Sequence, residues 1–395
     1  MKYDFPIIKT IDDVLWAIDG RDEFIVAERD GHTIINYVMC KPDSFDMSTT
    51  TIGGDIRREC RGLIFDDTGK LIRRPFHKFF NIGEREETMP RNLPMDEDYE
   101  IWEKMDGSMI APFMLNGQVR MGTKMGLTDI AGDVEEWLKD QPDGAAKRAW
   151  INVHLRCGLT PLFEWVSPDN KIVLQYDEAS LVLLAIRNME TGVYVPFETT
   201  LFETAKVYGA TAGNTTDTLE AYLDVARQEI DREGDIYRWK DTGHMVKGKN
   251  SWYVRIHKIK DQIRTYRHVL AIILENDLDD IKPELDKTDL DRVNKFEENF
   301  WEGYYKKLYD IYGIVHSILK DNKIVLGGVS TEDRKNIATV YLPNSKLTKK
   351  EYPYMFGMLD NKALPDQHMA NMKACTSNTK KFEETMDWLG VKYEN

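Results

Sequence analysis

"YEIWEKMDGSMIAPFMLNGQVRMGTKMG" runs from Tyr99 to Gly126, and its punctuation decides the fold of the first part of the chain. Short apolar runs alternate with turn residues, Asp106–Gly107 and then Asn116–Gly117. This is the pattern of antiparallel strands joined by tight turns. Lys104 falls in the first of these strands, beside the bulky Trp102 and Met105. A lysine amine is a nucleophile only when its proton is easily lost, through burial or neighbouring positive charge. Gly107 lets a backbone or ligand come close.

The same grammar extends on both sides. "FIVAERDGHTIINYVM" and "RGLIFDDTGKLIRRPF" each read as strand, turn, strand. "LTDIAGDVEEWLKDQ" and "GAAKRAWINVHLRCG" carry helical apolar spacing. "PLFEWVSPDNKIVLQY" and "ASLVLLAIRN" return to strand, and "TLEAYLDVARQEIDREG" reads as a helix ending at Gly234. Strands resume through "GHMVKGKNSWYVRIH". Beyond about residue 256 the pattern becomes helical, with Trp301, Tyr305, Leu308, Tyr312, Val315 and Leu319 forming a stripe at three- and four-residue steps. The expected fold class is therefore α+β. Residues 1–255 form a domain of antiparallel sheets and helices, and residues 256–395 an all-helical domain.

A chain of 395 residues exceeds one ordinary core, which agrees with two domains. No 18-residue apolar run is present, so no membrane span is expected. The start, "MKYDFPIIKTIDDV", lacks the pattern of a secretory signal, and the four cysteines are scattered without a zinc spacing. The expected compartment is the cytoplasm. Net charge is −14, yet residues 238–268 hold nine Lys/Arg against two acids, and residues 275–298 hold ten acids against four bases. A local basic face on an acidic protein is able to hold phosphates.

Several charged residues sit where charge is costly or repeated. Lys247 and Lys249 alternate in "VKGKNSW", which puts both ammonium groups on one face of a strand. If that strand lies beside Lys104, the pair would bind phosphates and favour the neutral amine of Lys104. Glu164 interrupts the apolar run "LFEWV", a costly place for an acid unless it is paired or bound. Arg61, Lys78, Lys124 and Glu233 complete the order along the chain.

Taken together, "ECRGLIF", "RPFHKFFN", "EKMDGS", "FEWVSPDNKIVL", "LVLLAIRN" with "ETGVY", and "KGKNSWYVRIH" resemble the lysine-adenylating nucleotidyltransferases. More closely, they resemble the bacteriophage RNA ligase 1 family of tRNA-repair type. The resemblance implies an ATP-dependent RNA ligase that joins 5′-phosphate and 3′-hydroxyl ends through a lysyl-AMP on Lys104 and an adenylated RNA 5′ end. It assigns Tyr37, Arg61, Lys78, Glu164, Lys247 and Lys249 to nucleotide binding. It gives Asp106, Gly107 and Lys124 supporting roles, and it places Glu233, and also Glu164, near a metal. Phe79 and Phe80 are candidates for the adenine pocket.

The implied cofactors are ATP and Mg²⁺, with Mn²⁺ as a substitute. The implied partner is single-stranded RNA or a nicked tRNA anticodon loop, bound by a monomer in the cytoplasm of an infected bacterium if the chain is phage-encoded. The basic stretch 238–268, with Trp239, Trp252 and Tyr253, is the expected RNA face. The helical tail is expected to contribute to tRNA preference. One departure is visible in "EGDIYRW", where Asp235 holds a position that is apolar in the family. The alternatives are a DNA ligase or capping-type enzyme of the same superfamily, and a noncatalytic RNA-binding relative.

Overall fold

Asn116 and Gly117 both take positive φ, 49° and 77°, and close the two-residue hairpin between β7 (Phe113–Leu115) and β8 (Gln118–Arg120). In this computed structural model, residues 4–47, 52–210, 223–224 and 229–393 are described. Contacts divide the chain into two units, Met1–Arg255 and Ile256–Asn395, with the division inside the helix Ser251–Ile263.

The first unit contains three four-stranded antiparallel sheets besides this hairpin. The first is the meander β1 (Phe24–Arg29), β2 (His32–Tyr37), β3 (Arg61–Asp66) and β4 (Leu71–Arg73). The second has the order β11-β10-β9-β6, from β6 (Ser108–Ile110), β9 (Leu159–Val166), β10 (Ser180–Asn188) and β11 (Tyr194–Val195). The third has the order β12-β5-β13-β14, from β5 (Tyr99–Glu103), β12 (Val207–Ala210), β13 (Gly234–Trp239) and β14 (Met245–Lys249).

Each sheet is two-faced because strand side chains alternate. One face of the third sheet buries Tyr99, Ile101, Tyr237, Trp239 and Val246 in a core with Leu93 and Met95. The second sheet buries Phe163, Trp165, Leu181 and Leu183 against the helices Asp129–Asp140 and Gly144–Arg156, through Val134, Leu138, Ile151 and Leu155. The helix Asp129–Asp140 starts on Thr128, whose hydroxyl accepts from the Ala131 amide.

The second unit is helical. Its spine is the 35-residue helix Lys287–Asp321, packed on Tyr266–Glu275, Tyr352–Leu359, Leu364–Cys375 and Thr379–Leu389. The spine begins on Asp286, whose carboxylate accepts from the Asp289 amide.

Five sequence expectations differ from the structure. Lys104 lies one residue past the end of β5, although its amide still donates to the Gly234 carbonyl (2.9 Å). The strand containing Glu164 stops at Val166, and "SWYVRIH" is the start of a helix rather than strand. The buried stripe of the spine is Phe296, Phe300, Tyr304, Leu308, Ile311, Val315 and Ile318, whereas Tyr305 and Tyr312 are exposed. A tyrosine keeps one end wet at little cost, so its place in a periodic pattern does not fix which way the helix faces. Finally, the helix expected over 218–234 lies largely outside the described residues, and Gly234 opens β13 instead of ending it.

Candidate functional site

Register builds the site. Directly opposed residues in an antiparallel pair share a face, and Trp102 opposes Ile236, which opposes Lys247. One row further along, Arg238 opposes Met245. This face of the third sheet looks onto a cavity of about 550 Å³, whose other wall is formed by Gly107, Met109, Glu164 and Leu184 from the region of β6, β9 and β10. Arg61, Phe76, Phe79, Thr123 and Lys124 close it. Lys104 also lines this cavity, so the stretch that set the fold also delivers the candidate nucleophile.

The lysine is not alone. Its ammonium lies 2.6 Å from Glu233 Oε1, and Lys249 Nζ lies 3.6 Å from the same oxygen. Glu233 is buried, so the two lysines share one desolvated carboxylate. Lys247 Nζ sits 4.7 Å from the centre of the Phe79 ring. Its burial, reinforced by Arg61, Lys104, Lys78 and Lys249, pushes its pKa down to about 6. Burial likewise pushes Glu164 up to about 7, with Lys104 pulling down and Glu233 pushing up.

The segment after Lys78 is tied to β14. The Lys247 amide donates to the Phe80 carbonyl (3.0 Å), and the Ile82 amide donates to the Lys247 carbonyl (2.9 Å). Two short backbone bonds therefore fix the Phe79 ring against the Lys247 ammonium. Gly107 is needed for close approach, because a Cβ there would lie 2.3 Å from the Trp165 carbonyl oxygen. Asp106 is buried and points away from the cavity. Its Oδ2 accepts from the amides of Val173 (2.8 Å) and Leu174 (2.7 Å), and its Oδ1 accepts from the Tyr253 hydroxyl (2.6 Å).

Not every predicted residue converges. Tyr37, Lys78, Asp106, Glu233 and Lys249 are absent from the cavity lining, although Glu233 and Lys249 reach it through Lys104. Tyr37 packs edge-on against Phe45, with Lys78 and Lys124 ammoniums each 5.4 Å from its ring. Phe80 is core rather than pocket, 2% exposed and facing Phe45. Asp235 is buried between β5 and β14 and paired with Arg232, which compensates the acid in a normally apolar place. Among the described residues no group of three or more His, Cys, Asp or Glu is placed to hold a metal.

The expected RNA face is only partly exposed. Trp239 and Tyr253 are buried, at 0% and 3% exposure, and Arg238 turns into the cavity. Lys240 pairs with Glu100 (2.5 Å), and Lys260 pairs with Asp286 (3.1 Å). Part of the basic stretch is therefore taken up by the pocket and by local ion pairs, while Arg255, Lys258 and Arg264 stay exposed. Sequence reasoning missed Trp102, Met245 and Phe76 as cavity walls. Trp102 and Met245 each lie two residues before a lysine already singled out, so the same alternation would have found them.

The chain is similar to several known proteins. The RNA ligase family model matches residues 59–262, slightly more than half of the chain. A protein of Thermovibrio ammonificans provisionally named an RNA ligase is 27% identical over 396 residues, covering 97% of this chain and 96% of its own length. RNA ligase 1 of Bacteriophage TS2126 is 26% identical over 172 residues, 42% of each protein. Among solved structures, an archaeal ATP-dependent RNA ligase aligns over 63% of this chain and 64% of its own, with a TM-score of 0.41 and 12% identity.

Proposed function

Because the chain belongs to the RNA ligase family, we propose that it joins RNA 5′-phosphate and 3′-hydroxyl ends using ATP, with Lys104 carrying the AMP. The observation that supports this most is Lys104 facing a 550 Å³ cavity beside Glu233, with Lys247, Arg61 and Lys124 also lining that cavity.

In the first step the Lys104 amine, having lost a proton, attacks the α-phosphorus of ATP. An N–P bond forms, the bond to the β-phosphate oxygen breaks, and pyrophosphate leaves. The 2.6 Å pair with Glu233 holds the amine at the mouth of the phosphate site and must loosen for attack. Arg61, Lys247 and Lys249 hold phosphate oxygens and offset charge that develops in the transition state. Phe79, Phe76, Trp102 and Met245 supply flat and flexible apolar surface for the adenine. Glu164 faces the ribose side as an acceptor. Gly107 allows the loop to pass against β9, and Lys124 extends the cationic rim toward Tyr37 and Lys78.

Among the described residues, Glu164 lines the cavity and Glu233 reaches Lys104 beside it, and Mg²⁺ is commonly held by one or two carboxylates plus substrate phosphates. These two residues fit that role, with Mn²⁺ able to take the place of Mg²⁺. The ion would share the charge of the phosphates.

In the second step an RNA 5′-phosphate oxygen attacks the lysyl-AMP, forming a 5′-to-5′ pyrophosphate and freeing the amine. In the third, an RNA 3′-hydroxyl attacks that RNA phosphate, loses its proton, and AMP departs. Both ends must meet in one site, so the gain is largely positional. The proposed substrate is single-stranded RNA or the broken anticodon loop of a tRNA. The test is joining of a 5′-phosphorylated, 3′-hydroxyl RNA oligonucleotide with ATP and Mg²⁺, beside Lys104→Ala and a DNA oligonucleotide. Joined RNA that vanishes with Lys104→Ala supports the reading, and joining of DNA alone overturns it.

A further inference from the structure

The Lys104 amide donates to the carbonyl of Gly234, the first residue of β13. Arg238 lies four residues further along that strand, roughly 13 Å away at an extended rise. Lys104 and Arg238 both line the cavity, so they mark two depths of it. At the first depth Lys104 and Lys249 share Glu233. At the second the walls are flat or flexible and apolar: Trp102, Met245, and Phe76 stacked on Tyr194 with 5.7 Å between ring centres.

A guanidinium in such surroundings needs a partner, because a charge taken out of water is costly unless it is paired. The buried arginines of this unit follow that rule. Arg57, Arg73, Arg74 and Arg187 each spend donors on carbonyls or carboxylates. The carboxylate in register with Arg238 is Glu100, directly across from it on β5. That acid is already engaged, by Lys240 at 2.5 Å and by the Trp102 indole N–H, which donates to it (3.0 Å). The Arg238 guanidinium instead lies 5.8 Å from the centre of the Trp102 ring and 5.2 Å from that of Tyr194. Ring faces attract the cation without using its N–H donors. Among the described residues those donors make no hydrogen bond or ion pair, and burial pushes the Arg238 pKa down.

We propose that Arg238 reads the base of the bound nucleotide, donating from its guanidinium to a ring nitrogen of the purine held by these apolar walls. This deepens the ligase reading above and rests on it for the identity of the ligand. A guanidinium has donors only, so it meets an acceptor nitrogen and not the exocyclic amine of adenine. Guanine offers acceptors of its own, so what Arg238 reads is the ring nitrogen rather than adenine against guanine.

The probes are AMP and its 1-deaza, 3-deaza and 7-deaza analogues, each with one ring nitrogen replaced by C–H. They are titrated calorimetrically into the full chain and into Arg238→Met, which keeps an apolar stem against Trp102 and removes the donors. In the wild type one analogue binds about 10- to 100-fold more weakly than AMP, the range for a hydrogen bond to a charged group. Arg238→Met weakens AMP by the same factor and no longer tells that analogue from AMP. Equal binding of all four ligands to the wild type, or of none, overturns the proposal. So does a variant that discriminates as the wild type does, the pattern of an arginine that only packs against the rings. The wild-type series decides on its own where the variant does not fold. A chain that binds AMP with the expected pattern yet forms no lysyl-AMP from ATP sinks the ligase reading and leaves the base reading standing. A chain that labels with ATP but treats all four ligands alike sinks the base reading alone.

Discussion

Two clusters in the first unit use the same side-chain types to opposite ends. Around Glu59 everything is matched. Arg187 donates to both of its carboxylate oxygens (2.7 and 2.8 Å), and Arg74 adds a third bond (3.1 Å). The two arginines spend further donors on the carbonyls of Pro6, Pro75, Met189, Glu190 and Gly192. Although burial opposes it, this pairing holds Glu59 at about 2. In the cavity, burial is not matched in this way. Glu164 is driven up to about 7 and Lys247 down to about 6, so both are pushed toward neutrality. The first cluster is charge used for architecture, tying the β3 approach to β10. The second is charge held at a cost, and perturbed groups in a concave site mark chemistry.

The largest effect expected is at Lys104. Its change to Ala removes lysyl-AMP formation altogether, with folding unchanged by circular dichroism; residual labelling would move the nucleophile elsewhere. Next comes Lys247→Met, expected to lower the adenylation rate by roughly a hundredfold or more, as loss of a group that stabilises transition-state charge does. The contrast with the matched cluster is sharpest in Glu59→Ala. It leaves two buried guanidiniums short of their counter-ion and should cost about 3–5 kcal/mol in denaturant unfolding. A loss no greater than that of a surface acid would erase the distinction between the clusters.

Smaller effects follow the signs of the pKa shifts. Glu164 binds its proton more tightly folded (about 7) than its ordinary value of 4.5, so its contribution to stability falls as pH rises through that window. Glu164→Gln should therefore raise the melting temperature relative to wild type more at pH 8 than at pH 5, by about 2–4 °C per kcal/mol recovered. Lys247 runs the other way. Its folded value near 6 lies below the ordinary 10.5, so stability grows with pH between them. Phosphates binding beside it favour the charged form. ATP binding at pH 8 should then take up about one proton, seen by calorimetry in buffers of different ionisation enthalpy and lost with Lys247→Met.

The hairpins and the strand–helix alternation were legible because turn residues and period-two patterns are local. "DG", "NG" and the apolar spacing sufficed for β1 to β4, β7 and β8, and the helices Asp129–Asp140 and Gly144–Arg156. What failed depended on distance. Nothing near Trp239 or Tyr253 in sequence tells that one is enclosed by Tyr99 and Tyr237 and the other grips Asp106. A run of nine cations reads as a face, and only the fold shows that four of them, Arg238, Lys240, Lys247 and Lys260, go to the cavity, Glu100 or Asp286. Lys104 was legible as a residue, but its 2.6 Å contact with Glu233 was not, because 129 positions separate them.

The central claim is that Lys104 carries AMP. The direct test is to incubate the full chain with α-labelled ATP and Mg²⁺, denature it, and map the labelled peptide by mass spectrometry. The account predicts one AMP on Lys104, released by acid as expected for a phosphoramidate. Label on another residue, or none across a range of metals and pH, would contradict it.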